Sequence, residues 1–428
     1  MSLYKDILEI EGGQKPTGKV VISGAKNSAT RLLAAATLCD EPVKLSGYPI
    51  NLVDSRHKER FLNSNGVYTY YEGIETVIIN SNEYSPRKLD DYFYPIRTTY
   101  LLVAGQLKRS SKAYIPYPGG CNIGSRKYDI HIAIWEEFGC QVEETEDCII
   151  VTRPEKLVAT EYEFPISTVG GTENALLMAS ISEGTTTLAN AYITPEIEDL
   201  IEFLKRCGVG VEVVGQSHVK VTGKTYLKGH HYHVLPDRIE ALTWLVYGAI
   251  SGGDILIENV PFSSMEIPLM YLRNAGVDFF QNSTSIYIDS SCLVNGHAHS
   301  FEVACGTHPG IISDMQPFYV MLGLMSIGKS RIHDYRYPKR ISYIDELQKF
   351  VNLKIDAEDG KITTNGPVIF SSSEASSTDL RGTMAAVLAA LCAKSGTSKI
   401  YGVSMALRGY NDLIPKLEGL GIKVKYKS

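Results

Sequence analysis

The chain has 428 residues, a formal net charge of -6, 44% hydrophobic residues and 21% charged residues. This is the composition of a globular protein that is too long for one ordinary core, so we expect two domains. The negative charge argues against a general nucleic-acid binder, whose binding face is basic. Any anionic ligand must therefore be bound by local cations.

The eight cysteines form no CxxC pair, and most of them stand in apolar helix or strand patterns. Reduced thiols, and hence a cytoplasmic location, fit this pattern best. Residues 1–6 lack a basic segment followed by an apolar one, so no signal peptide is evident. No apolar run reaches the roughly 18 residues of a membrane span, so we expect a soluble protein.

One pattern recurs along the chain: a helix rich in small and aliphatic residues, a short turn and a β-rich strand. The predicted helix and strand pairs are 25–38 with 43–46, 100–107 with 112–115, 175–182 with 185–189, 239–250 with 254–258, 318–326 with 330–333, and 382–393 with 398–401. Chance similarity among ordinary α/β segments is the alternative, but it does not readily produce six aligned copies.

Each pair is followed by an amphipathic helix, a turn and a further strand, with a period of about 70 residues. Five of these turns contain a glycine that suits a left-handed helix C-cap: Gly66, Gly139, Gly208, Gly276 and Gly421. The fifth copy has Val351-Asn352-Leu353 instead. Helices with so few polar positions should be buried, so the pattern predicts six α+β modules whose sheets pack around them, three modules in each domain.

A glycine-rich loop, residues 118–126, places Cys121 five residues before Arg126. Glycines allow the backbone to approach a ligand closely. A guanidinium can bind a phosphate through two hydrogen bonds, and it also favours the thiolate form of a nearby cysteine. The alternative is a buried structural cysteine in a surface turn.

Short motifs that resemble those of a known family occur along nearly the whole chain. They are Gly12 with 18–20, 22–27, 118–126, 129–131, 195–197, 235–240, 308–309 with 314–316, 378–381 and 408–410. In order and spacing they resemble the enolpyruvyl transferases, most closely the UDP-N-acetylglucosamine enolpyruvyl transferase family. The resemblance implies an α/β (α+β) fold, a two-domain inside-out α/β barrel in which each domain has three βαβαββ units around buried helices. It also implies domains of 22–235 and of 1–21 plus 236–428, with the active site in the cleft between them.

The reaction that the resemblance implies is transfer of enolpyruvyl from phosphoenolpyruvate to the 3-hydroxyl of UDP-N-acetylglucosamine, with release of phosphate. This is the first committed step of peptidoglycan precursor synthesis. The family needs no metal or cofactor, and no obligate protein partner is evident. Cys121 matches the general acid, which can also bond covalently to phosphoenolpyruvate and is the target of fosfomycin. Asp314 matches the family base at the acceptor hydroxyl; a helix N-cap is its alternative role.

The remaining site residues are also carried over by the resemblance. Those expected to hold phosphoenolpyruvate are Lys26, Arg126 and Arg408, with Arg97 and Arg340 as further contributors. Asn27 and residues 126–130, which include Asp129, match acceptor-binding positions, whereas Asp379 and Arg381 match a pair with unseparated roles. Each arginine considered alone fits a solvated surface charge as well. Lys26 is less ordinary, because it leads into an apolar helix and the helix N-terminus attracts anions.

Two further patterns argue against a metal site and against a nucleoside triphosphatase. Three histidines at 230, 231 and 233 stand too close together at a strand start for a closed metal site. The chain also lacks a G-x-x-x-x-G-K-[ST] loop, so Lys26 is no evidence for a nucleoside triphosphatase.

Departures from the family concentrate on the acceptor side. Lys127 and Tyr128 follow Arg126 where the family usually has proline, the segment around Asn51 lacks an expected lysine, and Thr30-Arg31 replaces a usual Leu-Pro. The donor is therefore better supported than the acceptor. Two alternatives stay open: a paralogue that uses another nucleotide or UDP-sugar, and a catalytically silent regulator that binds a nucleotide sugar.

Overall fold

Helices rich in small residues form the buried centres of the fold. The structure, a computed structural model, describes residues 6–89, 96–117 and 128–428. These residues divide into two compact units, one of 24–235 and one of 6–23 with 236–428, each with its own hydrophobic core. The buried helices are Lys26–Ala36, Leu102–Arg109 and Val169–Ser180 in the first unit, and Arg238–Ser251, Gln316–Leu324 and Leu380–Leu391 in the second. All six predicted small-residue helices are thus present.

A second set of helices is amphipathic, with part of each helix buried and part exposed to solvent. They are Val53–Ser64, Asp129–Glu137, Pro195–Arg206, Glu266–Asn274, Tyr343–Gln348 and Leu413–Gly419, with the short helix Ser404–Leu407. Pro195–Arg206 illustrates the local signals. Thr194 caps it by accepting from Ile197 N at 3.4 Å, and Pro195 opens its first turn. Short 3-10 turns occupy Thr98–Leu101, Phe262–Ser264, Val294–Gly296 and Ser313–Met315.

Each sheet of the unit 24–235 is built around the strand that follows a buried helix. That strand pairs antiparallel with the second strand of a hairpin, and in two of the sheets it also pairs parallel with a short edge strand. The sheet orders are His231–His233, Val43–Ser46, Thr76–Asn80, Tyr68–Tyr71; Lys112–Pro116, Cys148–Thr152, Gln141–Glu144; and Glu161–Glu163, Thr185–Ala189, His218–Thr222, Gly210–Val214.

The same plan recurs in the other unit, where two strands come from the start of the chain. The orders are Thr17–Val21, Asp254–Glu258, Ser285–Ile288, Phe280–Gln281; Ile311–Ile312, Glu302–Gly306, Ser326–Asp334, Lys361–Gly366, Asp356–Glu358, with Ala298–His299 beside Ser326–Asp334; and Glu374–Ser376, Thr397–Tyr401, Ile7–Glu11, Val424–Lys427. Ile7–Glu11 is antiparallel to both of its neighbours, and Thr17–Val21 runs parallel to Asp254–Glu258. The N-terminal segment therefore completes two sheets of this unit.

The predicted glycine caps have the expected backbone conformation. The φ angles of Gly66, Gly139, Gly208, Gly276 and Gly421 are 86°, 79°, 98°, 83° and 75°, in the left-handed region that favours glycine. Within the described ranges, no helix is long and apolar enough to span a bilayer.

Candidate active site

The predicted site residues fall into two groups, one in each unit. Asp314, Arg340, Asp379, Arg381 and Arg408 belong to the unit of 6–23 with 236–428, whereas Lys26, Asn27, Arg97 and Asp129 belong to 24–235. Cys121 and Arg126, like Lys127, lie outside the described residues.

Two guanidinium groups hold Asp314. Its Oδ1 accepts from Arg340 Nη1 at 2.7 Å, and its Oδ2 accepts from Arg381 Nε at 3.3 Å. The Asp314 side chain is 32% exposed, whereas the two arginine side chains are only 3% and 2% exposed. The carboxylate is therefore oriented from the protein side and is the member of this cluster that a ligand can reach.

The alternative role of Asp314 as a helix cap is not observed. Asp314 lies in the 3-10 turn Ser313–Met315, and the helix Gln316–Leu324 that follows has Met315 at its N-cap position with no side-chain cap. The Asp314 carboxylate instead faces the two arginines.

Asp379 has a different task in the same cluster. It caps the helix Leu380–Leu391, with Oδ1 accepting from the backbone N of Arg381 at 3.1 Å and of Gly382 at 3.3 Å. The same oxygen accepts from Arg340 Nη2 at 2.9 Å. Burial disfavours the charged form of Arg340, but the Asp379 and Asp314 charges outweigh this effect and raise its pKa. Arg340 is therefore a permanent cation between two carboxylates.

Arg381 and Arg408 are the other predicted cations of this unit. The Arg381 guanidinium lies 5.1 Å from the centre of the Tyr410 ring, and the Tyr410 hydroxyl is 2.9 Å from Thr243 Oγ1. Arg408 follows the short helix Ser404–Leu407, is buried, and places Nη1 3.8 Å from Met405 Sδ. The segment 408–410 thus contributes both a buried cation and the aromatic ring beside Arg381.

In the unit 24–235, Lys26 is the first residue of the helix Lys26–Ala36, as the sequence predicts. No side chain caps this helix, so its first N–H groups and its dipole favour an anion. Lys26 Nζ lies 3.1 Å from Asp54 Oδ2, and the two side chains are 18% and 8% exposed. Asp54 was not among the predicted site residues, although it lies in the first turn of the amphipathic helix Val53–Ser64.

Three charged side chains in or near the helix Lys26–Ala36, those of Arg31, Lys58 and Glu173, were not among the predicted site residues. Arg31 donates to Glu173 through Nε and to the carbonyl of Asn27 through Nη1, and the Tyr100 hydroxyl donates to the second oxygen of Glu173. Lys58 Nζ donates to Thr30 O at 2.8 Å. The position of Arg31 within an otherwise apolar helix indicates such a contact, because a buried charge requires a partner.

Aromatic residues flank Asp129 in the chain, and one of them contacts Arg97. Asp129 is exposed at the start of the helix Asp129–Glu137. Just before it, the Tyr128 hydroxyl donates to Arg97 O at 2.8 Å, and the Arg97 guanidinium lies 5.3 Å from the Tyr128 ring centre. His131 stacks on Tyr100 with ring centres 3.7 Å apart, and burial lowers the pKa of His131 to about 3. The imidazole is therefore neutral and acts as a packing group.

The histidines 231 and 233 make local hydrogen bonds instead of a metal site. His231 Nε2 is 2.9 Å and His233 Nδ1 is 3.1 Å from Ser46 Oγ on the neighbouring strand. Among the described residues, no group of three or more His, Cys, Asp or Glu side chains is arranged to hold a metal ion.

Comparison with known proteins identifies the family. A family model for EPSP synthase (3-phosphoshikimate 1-carboxyvinyltransferase) matches residues 10–417. UDP-N-acetylglucosamine 1-carboxyvinyltransferase 2 of Bacillus anthracis is 33% identical over 420 residues, which cover 97% of this chain and 96% of that protein. UDP-N-acetylglucosamine 1-carboxyvinyltransferase of Nitratidesulfovibrio vulgaris is 32% identical over 426 residues, 98% and 99% of the two chains.

Solved structures confirm the predicted fold class. The enolpyruvyl transferase NikO from Streptomyces tendae superposes with a TM-score of 0.89 at 22% identity, covering 99% of each chain. An EPSP synthase from Acinetobacter baumannii superposes with a TM-score of 0.74 at 16% identity, covering 99% of this chain and 100% of that chain. The match of sequence over nearly the whole length, together with this shared fold, shows that the chain belongs to the EPSP synthase family of enolpyruvyl transferases.

Proposed function

We propose that this protein transfers enolpyruvyl from phosphoenolpyruvate to the 3-hydroxyl of UDP-N-acetylglucosamine and releases phosphate. The observation that carries the proposal is identity of 32–33% with proteins of that name over at least 97% of this chain. The protein would then act in the cytoplasm, at the first committed step of peptidoglycan precursor synthesis.

Phosphoenolpyruvate carries a phosphate and a carboxylate, so the donor site needs several cations. Lys26, at an uncapped helix N-terminus, and the buried Arg408 are suited to this task. Arg126, Arg97 and Arg340 are the further contributors that we assign. Cys121 is assigned as the acid that protonates the methylene carbon of the donor.

Asp314 is assigned as the base that accepts the proton of the acceptor hydroxyl as its oxygen attacks the donor. Its orientation by Arg340 and Arg381 at 2.7 and 3.3 Å supports this role, as does its exposure. The buried arginines preorganise the carboxylate, so that no side-chain reorganisation is needed when the hydroxyl arrives. Loss of phosphate, with return of a proton from the new methyl group to the Cys121 thiolate, then restores the vinyl group.

The test is phosphate release from phosphoenolpyruvate, with and without UDP-N-acetylglucosamine, by the wild type and by Cys121→Ala. Release that depends on the acceptor and that the substitution abolishes would support the reaction and the role of the thiol. Absence of release with this sugar, while mass spectrometry detects phosphoenolpyruvate or fosfomycin bonded to Cys121, would retain the donor and refute the acceptor.

A different nucleotide or UDP-sugar as acceptor is the second candidate. The ring cluster of Tyr128, His131 and Tyr100 next to Asp129 favours it, since Tyr128 belongs to the segment after Arg126 that departs from the family pattern. The same assay with a panel of UDP-sugars and free nucleotides separates the two candidates. The preferred acceptor is the one with the highest kcat/KM.

A further inference from the structure

Asp334 contacts the two chain segments that carry Asp314 and Arg340, although it was not among the predicted site residues. It is the last residue of the strand Ser326–Asp334 and is fully buried. The loop that follows this strand carries Arg340, and the turn Ser313–Met315 carries Asp314. A buried carboxylate is costly unless it accepts hydrogen bonds, so its donors show which part of the fold it stabilises.

One oxygen of Asp334 accepts three hydrogen bonds. Oδ1 accepts from Ser313 Oγ at 2.8 Å, from Arg336 N at 3.0 Å and from Tyr337 N at 2.8 Å. The other oxygen, Oδ2, is buried and has no hydrogen-bond partner among the residues that the structure describes. A single oxygen therefore joins Ser313 to the loop that follows the strand.

The same loop leads back to Asp314 by a second route. Arg340 N donates to Tyr337 O at 2.9 Å, so a residue that Asp334 holds also fixes the backbone of Arg340. The Arg340 guanidinium in turn donates to Asp314 Oδ1 at 2.7 Å. Asp314 is thus connected to Asp334 from two sides, through the peptide bond to Ser313 and through Arg340.

This closed ring of contacts restrains the Asp314 carboxylate and the Arg340 guanidinium relative to each other. The two residues are 26 positions apart in the chain, so their backbones need contacts of their own to stay in register. Precise placement matters in an active site, because a displacement of about 1 Å in a reacting group can cost about 10²-fold in rate.

We infer that Asp334 is a positioning residue for Asp314: it holds the turn that carries Asp314 against the loop that carries Arg340, and so directs the Asp314 carboxylate to the acceptor hydroxyl. The inference rests on the proposed function, in which Asp314 is the base. It adds to that function a fully buried carboxylate that acts only through the orientation of the base.

Steady-state phosphate release from phosphoenolpyruvate with UDP-N-acetylglucosamine tests the inference. Asp334→Ala removes all three contacts, and Ser313→Ala removes only the contact from the hydroxyl. Asp334→Asn is the conservative variant, because its amide oxygen can accept the same hydrogen bonds while its NH₂ group replaces the oxygen for which the described residues provide no donor.

Asp289→Ala is the matched control from the same unit. Asp289 Oδ1 likewise accepts from a serine hydroxyl, that of Ser291 at 2.6 Å, and from a backbone N–H, that of Ser291 at 2.8 Å. Asp289 is not part of the ring of contacts around Asp314. Its variant therefore measures the effect of losing a similar local network elsewhere.

We expect Asp334→Ala to lower kcat by about 10- to 100-fold and Ser313→Ala by about three- to tenfold, because each misplaces the base. For the acceptor, kcat and kcat/KM should fall by the same factor, since the lost restraint acts in the transition state. Asp334→Asn should stay within about threefold of the wild type because it keeps the accepting oxygen. Asp289→Ala should match the wild type.

A double-mutant cycle separates positioning from damage to the fold. In the background of Asp314→Asn, which has no base to misplace, Asp334→Ala and Ser313→Ala should each change kcat by less than about threefold. Damage to the fold would instead lower kcat by the same factor in both backgrounds. The ratio of the two losses is therefore the readout.

Two kinds of result would overturn the inference, and they differ. Equal losses in both backgrounds, or full activity of Asp334→Ala and Ser313→Ala, would refute the role of Asp334 and leave the proposed function intact. If Asp334→Ala does not fold, Ser313→Ala in the two backgrounds decides. No phosphate release by the wild type, with its fold confirmed by circular dichroism, would refute the proposed function and the inference with it.

Discussion

At the scale of single residues, Asp314 combines two properties that conflict in most proteins. Its carboxylate is fixed by two almost fully buried guanidinium groups, yet it remains partly exposed. A surface carboxylate would be accessible but mobile, and a buried one would be fixed but out of reach. The Arg340 and Arg381 pairs therefore hold a preorganised carboxylate, which suits the role of base that we propose for Asp314.

We expect Asp314→Asn to lower kcat by about 10²- to 10⁴-fold, the usual contribution of a general base, because the amide retains the shape but cannot accept the proton. Steady-state phosphate release measures this, and the urea midpoint should stay close to that of the wild type because Arg340 retains Asp379. Asp345→Asn, at an exposed position of Tyr343–Gln348, is the control. Activity of Asp314→Asn within twofold of the wild type would rule out a role as base.

At the scale of elements, local signals were enough to predict the modules. Small-residue helices are buried because they lack polar positions, and left-handed caps such as Gly208 need a glycine whatever surrounds them. Both features depend on residues that are near neighbours in the chain.

Contacts between distant residues could not be predicted in this way. Arg31 and Glu173 are 142 positions apart, and nothing in the periodicity of either helix pairs them. The Lys26 and Asp54 ion pair likewise depends on how two helices pack. The family resemblance provided Asp314, Arg340 and Asp379, but it did not provide Asp54 or Glu173. Arg31, the partner of Glu173, departs from the family pattern.

One helix contact should be sensitive to a single methyl group. A Cβ on Gly105, in the buried helix Leu102–Arg109, would overlap Thr37 Oγ1 and lie 2.8 Å from Thr37 Cβ. We expect Gly105→Ala to destabilise the fold by about 1–3 kcal/mol in urea unfolding, despite the better helix propensity of alanine.

Two variants check this explanation. Adding Thr37→Ala to Gly105→Ala should recover part of the loss, because the overlapping oxygen is removed. Gly419→Ala should be neutral or stabilising, since a Cβ there would have no atom within 4 Å. A loss of stability at Gly419 as large as that at Gly105 would contradict the steric explanation.

His131, in the helix Asp129–Glu137, should make the free energy of unfolding depend on pH. The folded protein lowers the pKa of His131 to about 3, so the unfolded chain binds more protons between pH 6.5 and 3, and stability is lost as pH falls through that window. From pH 7 to pH 5 this residue should account for about 2 kcal/mol.

His131→Phe provides the measurement, because phenylalanine keeps a ring against Tyr100 and does not titrate. In urea unfolding, the free energy of unfolding of this variant should fall by about 2 kcal/mol less between pH 7 and pH 5 than that of the wild type. The same acid loss in both proteins would mean that His131 is not the group responsible.

At the scale of the whole molecule, the units differ in how the chain builds them. All strands that the structure describes in the sheets of the unit 24–235 come from that stretch of the chain. The other unit takes Ile7–Glu11 and Thr17–Val21 from the N-terminus. Ser23 and Asp237 are adjacent, since Asp237 N donates to Ser23 O at 2.9 Å.

We therefore expect a fragment of residues 24–235 to unfold cooperatively on its own, and a fragment of residues 236–428 to remain incompletely folded. Joining residues 1–23 directly to 236–428 through a short Gly-Ser linker should restore a cooperative transition, because it returns both missing strands. Circular dichroism during urea unfolding measures all three. Equal cooperativity of 236–428 with and without residues 1–23 would show that those strands are dispensable.

The position of Ile7–Glu11 between Thr397–Tyr401 and Val424–Lys427 has a consequence for synthesis on the ribosome. This strand leaves the exit tunnel before the unit 24–235 is synthesised, whereas both of its neighbours leave after that unit. The unit 24–235 can fold while translation proceeds, whereas this strand has no neighbour to pair with until residues 397–427 have emerged. Synthesis of those residues, not the folding of the unit 24–235, is then the event that permits this sheet to close, and a chaperone that shields unpaired strands would stay longest on residues 7–11.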